Sequence, residues 1–327
     1  MRAWLWFLTA ATVSACGANA PATADSAAGS DSADDVAAAV DSAAVDAIDA
    51  VAGTDAMALP APHTDTLGGA RPVGVTVPDN WTPQKKWPLV LVLHGYGANG
   101  ALQSSFLGVD ARATQYGYVT LAPDGTLDPS GSLFWNATPA CCDFGQVDVD
   151  DVAYLSGLID EAIAKLAVDP ARVYVVGHSN GGFMAYRLAC EKSDKINAVA
   201  VIAGATNADV NACTSPKPVN VLDIHGTKDS TIAYNGGSIQ GAQYPGSQAS
   251  IGQWLARDSC DVTPTSIGTG DFDSTSAGNE TDRLSYSHCS GSIAVEHWKM
   301  AGSGHIPAFT DDFREALATW MMARTRP

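Results

Sequence analysis

The stretch from Ala171 to Leu188, ARVYVVGHSNGGFMAYRL, is the part of this sequence that tolerates the fewest folds. Arg172 to Val176 is a short apolar, β-branched run that suits a buried strand. It stops at Gly177-His178-Ser179-Asn180-Gly181-Gly182, and Phe183 to Leu188 read as the start of a helix. Strand, sharp glycine turn and helix, with a serine at the apex, describe a nucleophile elbow. The turn is tight, and the flanking glycines leave room for the backbone and for helix against strand. Ser179 is therefore the candidate nucleophile.

The rest of the sequence supplies the frame such an elbow needs. Leu89 to Leu93 is a continuous apolar run, typical of a strand covered on both faces. Further strands are predicted at Arg71–Pro78, Tyr118–Ala122, Ala198–Ala203 and Val219–Ile224, with a late pair at Arg283–His288 and Ile293–Met300. Between them, Asp148–Leu166 carries apolar residues at helical spacing, with Asp150 and Asp151 in the first turn, where acidic groups suit the helix dipole. Gln248–Arg257 and Asp311–Ala323 also read as helices. Strands alternating with helices predict an α/β fold: one domain, a mostly parallel central sheet flanked by helices.

The fold does not need the whole chain. Residues 1–15 carry one basic residue, Arg2, then an apolar stretch and small residues ahead of Cys16, the pattern of an export signal too short to span a bilayer. Val13-Ser14-Ala15-Cys16 resembles the lipobox of bacterial lipoproteins, in which Cys16 would become the acylated N-terminus; the other reading is an ordinary secretory signal cleaved nearby. The expected location is thus the cell envelope through a lipid at Cys16, or outside the cell. Residues 16–65 read as an Ala/Asp/Ser-rich tether, and residues 66–327 as the catalytic domain. The net charge of −17 argues against nucleic acid or an anionic membrane surface as partner. Nine aspartates between Asp25 and Asp65, with no Lys or Arg among them, carry much of that charge. A monomer is expected.

A serine becomes a useful nucleophile when a histidine takes its proton, and that histidine needs a carboxylate to hold its tautomer. In α/β-hydrolases the acid and then the histidine follow the serine, on loops after later strands. Asp229 lies on the loop that follows Val219–Ile224, whereas Asp223 and Glu296 lie inside strands. His305, in Gly302-Ser303-Gly304-His305-Ile306-Pro307, follows the last strand and precedes the final helix. His63, His94, His178 and His225 come before the acid, and His288 and His297 sit in or beside the late strands. Asp229 and His305 complete the candidate triad. A tetrahedral intermediate also needs two N–H donors. Asn180, directly after the nucleophile, and Tyr96, in the loop after Leu89–Leu93, are the candidates. Trp135, Asn136 and His178 are candidate substrate contacts, an exposed tryptophan near the site being suited to aromatic or polyester groups.

Residues 66–327 resemble the bacterial polyhydroxybutyrate depolymerase and feruloyl esterase family of secreted α/β-hydrolases. The resemblance rests on LVLVLHGYGANG, FWNATPACCDFGQVDVDDVAYL, DPARVYVVGHSNGGFMAYRLAC, VLDIHGTKDSTIAY and the GSGHIP loop. It implies Ser179, Asp229 and His305 as the triad and ester hydrolysis through an acyl-enzyme, without metal or cofactor. Two departures, Tyr96 where relatives often carry a small residue or cysteine and Ile306 where they often carry tryptophan, border the substrate. The resemblance also favours a Cys260–Cys289 disulfide and leaves Cys141, Cys142, Cys190 and Cys213 to pair among themselves. The leading expectation is a serine esterase acting on hydroxyalkanoate esters or oligomers. The alternatives are a feruloyl or acetyl xylan esterase, a peptidase, and a non-catalytic surface-binding lipoprotein.

Overall fold

A computed structural model describes residues 62–214 and 217–326. The export signal, Cys16 and most of the tether lie outside these residues. The first half runs β1 (Pro62–Leu67), β2 (Val73–Thr76), β3 (Trp87–Leu93), α1 (Gly100–Leu107), α2 (Ala113–Tyr116) and β4 (Val119–Leu121). A small hairpin of β5 (Thr126–Leu127) and β6 (Leu133–Phe134) follows, then α3 (Asp151–Lys165), β7 (Val168–His178) and α4 (Asn180–Glu191). The second half runs β8 (Ala198–Ile202), β9 (Asn220–Gly226), a hairpin of β10 (Gly236–Ile239) and β11 (Ala242–Pro245), and α5 (Ser247–Arg257). It closes with β12 (Thr265–Gly270), β13 (Thr281–Tyr286), β14 (Val295–Met300) and α6 (Asp311–Met322).

Among the described residues, one sheet has the order β1-β2-β4-β3-β7-β8-β9-β14-β13-β12. The run from β4 to β14 is parallel throughout, and antiparallel strands close both sides. Side chains of the central strands alternate between two cores. On β3, Leu89, Leu91 and Leu93 face the core shared with α3, α4 and α5, while Val90 and Val92 face the core shared with α6. Both faces are covered, which is why β3 is apolar at every position and buried at every position. Each such Leu or Val contributes roughly 1.5–3 kcal/mol by leaving water.

The predicted elements match the structure to within a few residues, and β1 pairs with β2 from Pro62, ahead of the expected boundary near residue 66. Asp150 caps α3, its side chain accepting from the N–H of Ala153. Unforeseen elements are β1, α1, α2, the two hairpins, and β12, an outer strand with a register shift between Ser266 and Gly268 and exposed side chains along most of its length. The cysteines form Cys141–Cys142, Cys190–Cys213 and Cys260–Cys289. The last ties the segment carrying β12 and β13 back to the end of α5.

Candidate active site

Ser179 stands between β7 and α4 with φ 54° and ψ −121°, a backbone conformation that costs a non-glycine residue on the order of 1–3 kcal/mol. Tight packing holds it there. A Cβ on Gly177 would lie 2.1 Å from the Gly181 carbonyl oxygen, and one on Gly181 would lie 2.1 Å from the Leu93 carbonyl oxygen. The N–H of Ser179 donates to Ile202 on the neighbouring strand. The serine is 9% exposed, at the surface limit of burial.

Two loops at the carboxyl ends of β9 and β14 bring the other groups to it. They are stitched together: Lys228 N–H donates to the Ser303 carbonyl at 3.0 Å, and Gly302 N–H to Thr227 Oγ1 at 2.9 Å. A Cβ at Gly226 would lie 2.4 Å from the Ser303 oxygen, so only glycine lets the loops approach this closely. Across that junction His305 Nδ1 lies 2.7 Å from Asp229 Oδ2, and His305 Nε2 lies 3.0 Å from Ser179 Oγ. Asp229 Oδ1 accepts the N–H groups of Thr231 and Ile232, both at 2.8 Å. Burial pushes the Asp229 pKa up, but hydrogen bonds with His225 and His305 outweigh it and hold the carboxyl well below the usual range. An ionised Asp229 keeps the proton of His305 on Nδ1 and leaves Nε2 to take one from Ser179.

The candidate oxyanion donors lie on the other side of the serine. Neither the Tyr96 nor the Asn180 N–H donates to a partner among the described residues, and Asn180 opens α4, where an N–H has no acceptor within the helix. A Cβ on Gly95 would lie 3.4 Å from Ser179 Cβ, which sets the Tyr96 loop against the nucleophile. The side chains of His94 and Tyr96 anchor that loop. His94 Nδ1 donates to the Gly95 carbonyl at 2.7 Å, while its Nε2 accepts the Gly125 N–H at 2.9 Å. Burial lowers the His94 pKa to about 4, so the ring stays neutral in this one tautomer. The Tyr96 hydroxyl donates to Asp128, which also accepts from Ser130 and Ser132 in the β5–β6 turn. The Asn180 side chain exchanges two hydrogen bonds with the backbone of Trp135, at 2.7 and 2.9 Å.

The candidate substrate contacts are placed differently from expectation. Trp135 is fully buried, with its indole N–H on the His94 carbonyl at 3.1 Å, so the ring braces the loop and presents no surface to a ligand. Asn136 is half-buried, bound to Val149 and Asp151, and faces a cavity beside α4 that the triad does not line. His178 flanks the serine but is buried; its Nε2 donates to the His305 carbonyl at 2.9 Å, and burial lowers its pKa to about 3. It supports the histidine loop from beneath. Sequence reasoning passed over His94, His225 and Asp128. For His94 the available signal was its place directly after an apolar strand, and for His225 its position one helical turn ahead of Asp229.

Comparison with known proteins agrees with this architecture. Feruloyl esterase B of Piromyces equi is 29% identical over 243 residues, covering 72% of this chain and 42% of that protein. The bifunctional acetylxylan esterase/xylanase XynS20E of Neocallimastix patriciarum is 25% identical, covering 77% of this chain and 34% of that protein. The chain therefore spans less than half the length of either relative. An acetyl xylan esterase from Aspergillus awamori shares the fold, with a TM-score of 0.56 at 15% identity, covering 80% of this chain and 98% of that one. Residues 81–244, half of the chain and the part that carries Tyr96, Ser179 and Asp229, match the family described as Phospholipase/Carboxylesterase, and the chain belongs to that family.

Proposed function

We propose that the protein is a serine carboxylic-ester hydrolase that removes feruloyl or acetyl groups from plant cell-wall polysaccharide. The observation that carries the reading is the continuous hydrogen-bonded line Asp229–His305–Ser179 at the elbow, beside two uncommitted backbone N–H groups. In this reading His305 Nε2 takes the Ser179 proton as Oγ attacks the ester carbonyl. The oxyanion is held by Tyr96 and Asn180, and the protonated histidine gives its proton to the leaving alcohol. Water repeats the sequence on the acyl-enzyme, releasing the acid and restoring Ser179. None of these steps needs a metal or cofactor.

The choice of ester follows the relatives, whose names refer to feruloyl and acetylxylan esters. The hydroxyalkanoate ester expected from the sequence has less support and gives way to this alternative. Disulfides among the described residues fit an exported protein, and attachment through an acylated Cys16 belongs to the same proposal.

The test is hydrolysis of methyl ferulate, acetylated xylan and hydroxybutyrate oligomers by the wild type and Ser179→Ala. We expect turnover of one of the first two, lost on the order of 10⁶-fold in the variant. Comparable rates in the two proteins would sink the triad. Faster cleavage of hydroxybutyrate oligomers than of either other ester would reverse the substrate assignment.

A further inference from the structure

A cavity of about 540 Å³ lies along α4, on the side lined by Tyr186, Arg187 and Cys190, and none of Ser179, Asp229 and His305 lines it. Its size is that of cavities that enclose drug-sized ligands. It adjoins the candidate active site through two contacts. Asn136, in its wall, follows Trp135, whose backbone is bound by the Asn180 side chain. Phe144, also in its wall, packs against the Tyr96 ring with centroids 5.2 Å apart. The cavity and the candidate active site therefore share the Trp135 segment and the Tyr96–Phe144 contact as a common wall.

The lining offers no free positive charge. Arg187 is committed to Glu191 at 2.7 Å and to the Asn136 carbonyl at 2.6 Å. Asp143 accepts the N–H groups of Val147 and Asp148. Arg187 is thus paired within the protein while Asp143 keeps its negative charge, so an anionic ligand finds no free counter-charge. Uncommitted polar groups remain beside them. Gln253 donates to the Asn207 carbonyl at 3.1 Å, which leaves its Oε1 as an acceptor. Asn207 Oδ1 accepts the Asp209 N–H, which leaves its amide NH₂ as a donor. These donors and acceptors share the wall with the half-buried ring of Phe144, which suits a ligand that has hydroxyls on its rim and C–H groups on its face.

We infer that this cavity is a distal subsite for neutral sugar residues of the polysaccharide that carries the ester. The inference deepens the esterase reading and rests on it. It assigns Asn207, Gln253 and Phe144 to holding the carbohydrate while Ser179 attacks the acyl group attached to it.

The experiment separates the two claims. Ser179→Ala protein is titrated with xylotetraose, which has no ester, and binding is followed by calorimetry. Saturable binding is expected, weakened about tenfold by Gln253→Ala and by Asn207→Ala in proteins whose circular dichroism matches the parent. Tetragalacturonate, an anionic oligosaccharide, should bind at least about tenfold more weakly than xylotetraose. In the active protein, Gln253→Ala should lower kcat/KM for feruloylated xylotriose about tenfold more than for methyl ferulate. Absence of xylotetraose binding, undiminished binding in both variants, or equal binding of the anion overturns the subsite. Absence of methyl ferulate and acetylated xylan turnover in the wild type instead overturns the esterase reading, and the binding measurement stands apart from it.

Discussion

The Nδ1–H of His94 is given to the carbonyl of Gly95 at 2.7 Å, which fixes the peptide that joins Gly95 to Tyr96. That peptide is planar, so its N–H, belonging to Tyr96, points opposite to the anchored carbonyl. One ring thus sets the direction of a candidate oxyanion donor without touching substrate. We predict that His94→Ala lowers kcat about 10²-fold with a much smaller change in KM, because the donor acts chiefly in the transition state. Steady-state kinetics on a small ester check this, and a change confined to KM would refute it.

Asp258 supplies a pH-dependent prediction. Burial raises its carboxyl pKa to about 7, well above its ordinary value. It stands at the C-cap of α5, where the helix dipole is also unfavourable to a negative charge. Between the unfolded pKa near 4 and the folded value near 7, the native state holds more protons, so this group lowers stability as pH rises through that window. Asp258→Asn should therefore melt close to the wild type at pH 4 and increasingly above it up to pH 8. A melting difference that is constant with pH would refute the assignment.

The Cys260–Cys289 disulfide joins residues 29 apart and encloses β12 and β13. Chain-entropy arguments give a loop of that length about 3–4 kcal/mol of stabilisation. Replacing both cysteines by serine should cost about that much in urea unfolding. Because the triad loops are stitched to each other elsewhere, the folded variant should keep kcat within about twofold of the wild type.

Gly181 is one of the two tightest points of the elbow, since a Cβ there would lie 2.1 Å from the Leu93 oxygen and 2.7 Å from that of His94. Gly181→Ala must push α4 off β3, at a cost of about 3 kcal/mol, and should displace the Asn180 N–H with it. Loss of both stability and turnover is expected. A variant that melts and turns over like the wild type would show that the elbow has slack.

Which parts of this molecule were legible in its sequence follows from how locally each is determined. Ser179 and Asp229 follow strands marked by apolar runs, and His305 lies in a glycine-rich loop between the last strand and the final helix, so chain order was enough to group them. Trp135 misled because a tryptophan in a polar loop looks exposed, whereas its burial depends on His94 and Asn180, 41 and 45 residues away. The strand β12, TSIGTG, has neither apolar alternation nor bulk, and only pairing with β13 makes it a strand. The cavity beside α4 was invisible for a similar reason, since its wall is drawn from separate segments between Asn136 and Trp254.

The outermost strand, β12, is built of Thr, Ser, Gly and one Ile, and its register shifts between Ser266 and Gly268. Every open sheet must end somewhere, and its last strand offers unpaired backbone groups to any chain that drifts past. A glycine-rich strand interrupted by a bulge is a poor template, because an incoming strand finds neither a straight ladder nor apolar side chains to cover. At this edge the sheet therefore terminates itself, and two copies that meet β12 to β12 have little tendency to zip together.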